Sequence, residues 1–310
     1  MTRPARLLHP ALPRRALAAL LAAALAVAAG LRPGPAAAAG AAQTVRHPPI
    51  VGAVDRRAEY PLAALRLALE KAGVDAALVP APVPMEQERA IRALASGQLI
   101  DVLWTVTSPE RERRLRAVRV PFDRGLIGWR VLMVRRADVP RFAAVRDAGD
   151  LARLRGAQGH DWPDLAILRA NGLDVIGTPS YASLFELLVR GRIDYVPRGV
   201  GEAIPEIGVH ATRGLALEPR LVLHYPSAMY FFVHPDNAAL AESIERGLRA
   251  SFADGSLDRL LLQTYGEDLA RLALARRERI GLANPLLPAA TPLSMPGWWY
   301  QPGPAAGPTP

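Results

Sequence analysis

The chain has 310 residues, half of them hydrophobic and 22% charged, with no cysteine and a formal charge of +9. That composition excludes wholesale disorder, the length predicts roughly two domains, and the missing cysteines exclude disulfides, thiolate metal sites and a cysteine nucleophile. Residues 1–42 hold Arg3, Arg6, Arg14, Arg15 and Arg32 and no acid, leaving only +4 on the rest, so no nucleic-acid partner is expected from charge.

Arg14 and Arg15 precede an apolar run over 16–30, and small residues lead on to Ala39 and Ala42. This is the order of a secretory signal peptide cleaved after Ala39 or Ala42, and it predicts a periplasmic protein. Residues 50–55 (IVGAVD) read as a buried parallel strand. Pro61 opens a helical pattern through Leu62, Leu65 and Leu69 that stops at Gly73. A strand over 76–80, a helix over 85–96 capped by Gly97 and a strand over 100–106 follow. The stretch 125–135 reads as one long strand. After 138–141 the alternation starts afresh, with helices near 148–154, 163–171 and 181–190 and strands at 156–158, 174–178 and 193–196. Strands at 221–224 and 229–233 lead into helices from about 237 to 277. Strands alternating with helices of about ten residues predict α/β units with parallel sheets, and the break near 138 predicts two of them. From Asn284 the chain carries eight prolines in 27 residues. It reads as an extended tail over 281–310, pinned to the body by Trp298, Trp299 and Tyr300.

Catalytic signatures are missing. No two histidines of the mature chain lie three or four residues apart, there is no Gly-x-Ser-x-Gly elbow, and Gly199-Val-Gly201 does not complete a dinucleotide fingerprint. Lys71 is the single lysine, so a loop ending in Gly-Lys-Ser/Thr cannot be built. No cofactor or metal is expected. The run 109–120 (PERERRLRAVRV) reads as a solvated helix face with mixed ion pairs; a sharper reading sets Arg111 or Arg114 at a strand-to-helix junction, facing a cleft where a guanidinium holds a carboxylate. Asp55, Tyr60 and Trp104 sit at or after strand C-termini, where open α/β sheets bind ligands.

IVGAVDRRAEYP, DVLWTVTSPERERRLRAVRVPF and GLIGWRVLMVR, followed by GAQGHDWPDLAILRANGLDV, ELLVRGRIDYVPRG and FADGSLDRLLLQTYG, resemble family 3 of the extracytoplasmic solute-binding proteins, the polar amino-acid type. The resemblance implies an α/β, two-lobe periplasmic binding protein type 2 fold, with two mixed or parallel sheets joined by two crossover strands. The lobes would span 43–134 plus 226–280 and 135–225. It implies a monomer that captures a small polar solute between the lobes and delivers it to an ABC-type permease. Thr105, Thr107, Ser108 and Arg111 fill the segment that holds a ligand's α-carboxylate in the family, with Arg114 competing for the arginine's part. Gln158, His160, Asp161 and Trp162 match the second-lobe loop that opens a helix.

The family usually has an aspartate for the ligand's ammonium a few residues past the Gly-Arg-x-Asp turn; here Arg198 and Gly199 stand there. That exchange leads us to expect that Arg198 faces the cleft, aimed by Pro197, and that the solute is acidic. Two alternatives share the frame: an extracytoplasmic dehydratase with Asp55, His160 or Asp161 as general acid, and a ligand-sensing module docked on a membrane receptor.

Overall fold

The computed structural model describes residues 43–49 and 58–303. The signal segment, the strand expected over 50–55 and the candidate Asp55 therefore lie outside the described residues. In chain order, β1 (Gln43–His47), α1 (Glu59–Lys71), β2 (Ala76–Pro80), α2 (Gln87–Ala95), β3 (Val102–Val106), α3 (Pro109–Arg114) and β4 (Arg116–Val118) make the first part. α1 follows the apolar spacing of its sequence and buries Tyr60, Ala64, Leu65, Ala68 and Leu69 on one stripe, each large side chain contributing about 1.5–3 kcal/mol. β1 and β2 pair in parallel, and Arg46 of β1 ties this pair to the start of β3 through Asp101.

The next elements are β5 (Trp129–Arg135), α4 (Ala148–Leu151), β6 (Gly156–Gly159), α5 (Pro163–Ala170), β7 (Val175–Thr178), α6 (Tyr181–Val189), β8 (Tyr195–Gly199), α7 (Val200–His210), β9 (Leu215–Leu217) and β10 (Leu221–His224). After them come β11 (Met229–Val233), α8 (Ala238–Ala253), α9 (Ser256–Leu272) and β12 (Glu278–Gly281). β11 returns to the first part and lies antiparallel between β3 and β4. The larger sheet runs β12-β10-β5-β8-β6-β7, with β9 also on β5. Its pairs β6/β7, β6/β8 and β10/β12 are parallel and those made by β5 antiparallel. α8 returns to α1, so tightly that a Cβ on Gly247 would meet the Ala68 carbonyl oxygen at 1.7 Å.

Several boundaries differ from the sequence reading. The change of sheet comes in the crossover 119–128, before β5, and 136–144 is a 3₁₀ segment that leaves the larger sheet unbroken. The front of the strand expected over 125–135 is also 3₁₀, at Leu126–Gly128. β12, grouped by sequence with the first lobe, pairs with β10 in the larger sheet. The strand expected to end at Val196 instead runs from Tyr195 through Gly199, so Pro197 lies within a strand and fixes no turn. The register pairs β6 and β8 at Gly156 and Tyr195, and past that point the Gln158 amide donates to the Pro197 carbonyl at 3.2 Å. A proline without an N–H therefore costs little there. The tail does pack on the body: Trp298 is buried and stacks on Phe252 with ring centroids 5.3 Å apart.

Candidate functional site

A cavity of about 530 Å³ opens between the two sheet groups. It is bounded by the carboxyl end of β3 and the amino ends of α1, α2, α5, α6 and α7, where strand termini and unpaired helix N–H groups converge.

On the first wall, Trp104, Thr105 and Val106 end β3 and Tyr60 opens α1. The Tyr60 hydroxyl donates to the Phe122 carbonyl at 2.6 Å, and its ring packs on Tyr265 at 5.1 Å. Behind Thr105 lies Arg111, 3% exposed. Ser108 accepts from the Arg111 backbone N–H at 3.2 Å and so starts α3 directly after β3. The guanidinium turns back under the strand. It donates to Thr105 Oγ1 (2.6 Å), to the Val106 carbonyl (2.7 Å), to Gln87 Oε1, and to the Asp161 carbonyl just before α5 (3.1 Å). All four acceptors are neutral, and burial pushes the guanidinium down to about 10 despite acidic groups farther off.

On the second wall the arginines meet carboxylates. Arg130 of β5 is 2% exposed; it donates to Asp164 Oδ1 at 2.5 Å, to Glu202 Oε2 at 3.1 Å and to the Tyr225 hydroxyl at 3.1 Å. Tyr225 in turn donates to Asp164. Pro163 at the start of α5 sets Asp164 in its first turn, and Glu202 lies in the first turn of α7, where it accepts the Gly199 N–H at 2.8 Å. Burial opposes the charge on Arg130, but Asp164, Tyr225 and Glu202 outweigh it and hold the group above its usual range. Burial likewise lifts the Tyr225 hydroxyl well above its ordinary value. Between the walls, Asp123 accepts the N–H groups of Gly125 (3.0 Å) and Ile127 (2.9 Å), and burial raises it to about 6. The lining thus sets Glu86, Asp123, Asp164 and Glu202 against Arg89 and Arg130. Among the described residues no cluster of three His, Cys, Asp or Glu side chains is arranged to hold a metal ion.

Of the residues singled out in the sequence, Tyr60, Trp104, Thr105 and Trp162 line the cavity, and Arg111 stands one layer behind it. Arg198 does not face it. Its side chain is fully buried, donating twice to Glu206 at 2.6 Å and standing 3.1 Å from Glu202. Extension of β8 through position 198 turns the arginine onto α7 instead. Besides Glu202, two rings of the lining stand against it: the guanidinium carbon lies 5.2 Å from the Trp162 centroid and 5.8 Å from that of Tyr181.

Arg114 points outward to Glu88 (2.9 Å) and Glu110 (2.7 Å). Thr107 donates to Glu112 at 2.7 Å, and Ser108 is spent on its cap. Gln158 is buried under β8, and His160 is exposed with Nδ1 3.0 Å from the Thr178 carbonyl oxygen. The Asp161 carboxylate accepts the Glu88 N–H at 3.3 Å outside the lining. Neither His160 nor Asp161 is therefore set to act as a general acid in the cavity.

Sequence reasoning passed over Gln87, Asp123, Arg130, Asp164, Glu202 and Tyr265. Two signals were available. Arg130 interrupts the apolar strand WRVLMVR, and a buried arginine demands a partner. Glu202 stands three residues after Gly199, at a capping spacing.

No protein-family model matches the sequence, and no curated protein does. Solved structures do match. An ancestral arginine-binding protein bound to arginine superposes with a TM-score of 0.55 at 18% identity, over 72% of this chain and 99% of that one. An amino acid ABC transporter substrate-binding protein from Streptococcus pneumoniae, bound to L-arginine, gives 0.52 at 16% identity, over 73% and 95%. A histidine kinase sensor domain with similarity to periplasmic binding proteins gives 0.52 at 19%, over 73% and 96%. The chain has the type 2 periplasmic binding protein fold.

Proposed function

We propose that the chain is an extracytoplasmic solute-binding protein that takes an α-amino acid into this cavity and delivers it to an ABC-type permease. The observation that carries the reading is the opposite polarity of the two walls. Arg111 is buried with its hydrogen bonds made to neutral acceptors and its burial only partly offset by acidic groups farther off, and a ligand carboxylate replacing one or two of those acceptors would repay that cost. Asp164 and Glu202 outnumber Arg130 on the opposite side, with Asp123 between the walls, which suits an ammonium or another cationic group. A zwitterion spans both.

The acidic solute expected from the sequence rested on Arg198, which Glu206 neutralises. We therefore assign the side-chain end of the ligand as cationic or neutral. The likeness to two proteins bound to arginine supports this assignment. Thermal-shift screening of the twenty amino acids and a set of dicarboxylic acids tests it: cationic and neutral amino acids should raise Tm, and a response confined to dicarboxylic acids would reject it. The sensor-domain likeness favours one further reading, a receptor-docked sensing module. Capture of a kinase without a permease from membranes of the native host would select it.

A further inference from the structure

We propose that residues 282–300 act as a third connection between the two halves of the fold, a strap laid over both crossovers that restrains their opening. One end is fixed in the core of the larger sheet. Leu282 is buried there, Leu286 packs on the same cluster, and Asn171 at the end of α5 holds both the N–H (2.9 Å) and the carbonyl (2.8 Å) of Ala283. The other end is fixed on the first half. Trp298 stacks on Phe252 of α8, with the Arg249 guanidinium carbon 5.1 Å from its ring centroid.

At its two ends the strap touches both crossover segments. Asn284 donates to the Pro226 carbonyl at 2.8 Å in the second crossover, and the Tyr300 N–H donates to the Arg124 carbonyl at 2.7 Å in the first. The Trp299 ring lies so close on Gly125 that a Cβ there would come within 2.6 Å of it, with the Ser227 carbonyl oxygen 3.2 Å away. Arg124 and Gly125 both hold positive φ, +54° and +69°. For an arginine that conformation is uncommon and costs energy unless its surroundings enforce it. Tyr300 grips this residue through its carbonyl, and Asp258 of α9 accepts from its side chain at 2.9 Å.

Opening of a hinged two-lobe fold is absorbed by dihedral changes in a few connecting residues. Here those residues are 119–128 and 225–228, and the strap is bonded to both. Rotation of one half away from the other must break the Asn284 and Tyr300 bonds or lift Trp299 off Gly125. The strap therefore holds the ligand-free chain near the arrangement described, and this holds whatever solute the cavity takes.

The absence of cysteine makes the test direct. Arg92→Cys on α2 and Arg190→Cys after α6 replace side chains that are 64% and 73% exposed, one on each half. Spin labels on the pair report the interlobe distance by pulsed electron resonance, without ligand. The otherwise unaltered chain should give one narrow distribution, and Trp298→Ala with Trp299→Ala should shift and broaden it toward longer distances. An unchanged distribution in the folded double variant would overturn the proposal. Where that variant does not fold, hydrogen exchange on the natural chain decides. The Tyr300 amide should be protected to the level of the amides of β5, and exchange at the rate of an unstructured peptide overturns the strap.

Discussion

On the first wall of the cavity Arg111 gives its hydrogen bonds to a hydroxyl, an amide oxygen and two carbonyls, whereas on the second wall Arg130 and Arg198 are enclosed by Asp164, Glu202 and Glu206. Both arrangements satisfy donors. They differ in charge, which a hydrogen-bond inventory conceals. A guanidinium among neutral acceptors keeps its field and favours an incoming anion; one held between carboxylates is spent, and the wall it belongs to shows the surplus of its partners. Burial lowers both guanidiniums, but Arg111 ends down at about 10 whereas Asp164, Tyr225 and Glu202 carry Arg130 above its usual range.

The largest expected effect separates the two walls by stability. Arg198→Met strands the buried Glu206 and should cost about 3–5 kcal/mol in urea denaturation, with Glu206→Leu in the same chain restoring much of it. Arg111→Met strands no carboxylate, so its effect should fall on the ligand instead. Loss of a charge-assisted pair of about 1.5–3 kcal/mol weakens amino-acid binding roughly 10- to 150-fold by calorimetry, and Arg111→Lys should recover part of it. Equal stability losses in the two arginine variants would erase the distinction.

Asp123 sharpens it through pH. Its folded value of about 6 lies above the ordinary 3.8, so the folded chain holds the proton more tightly. Its contribution to stability is complete below about pH 4 and is lost as pH rises through 6. The stability of the natural chain minus that of Asp123→Asn should therefore fall by about 1–3 kcal/mol between pH 4 and pH 7. A flat difference would place the carboxyl in water. The smallest effect belongs to Arg114→Ala. Its partners are surface glutamates, so stability should change by about 0–1 kcal/mol and affinity not measurably.

Much of the fold was legible because apolar periodicity is a local property. The stripe of α1 and the strands at 221–224 and 229–233 are written in consecutive residues. The site was legible where it coincides with strand ends, as at Trp104 and Thr105. It was not legible where side-chain direction depends on tertiary context. Arg198 was misassigned because Pro197 reads as a strand breaker, while antiparallel pairing with β5 carries β8 three residues further, to Gly199. Asp164 and Glu202 look like ordinary first-turn acids of helices, and only the approach of β5 carrying Arg130 brings them to one wall. Arg111 and Arg114 are three residues apart on a six-residue helix. Which of them turns inward is decided by the Ser108 cap and the Thr105 hydroxyl.

The central claim is that one wall takes a carboxylate and the other a cation. Calorimetric titration of the purified chain with L-arginine, agmatine and L-glutamate tests both halves of it at once. L-Arginine should bind most tightly. Agmatine, which lacks the carboxylate, should bind roughly 10- to 150-fold more weakly, and L-glutamate should also bind more weakly than L-arginine. Agmatine binding as tightly as arginine, or glutamate binding tightest, would contradict the account.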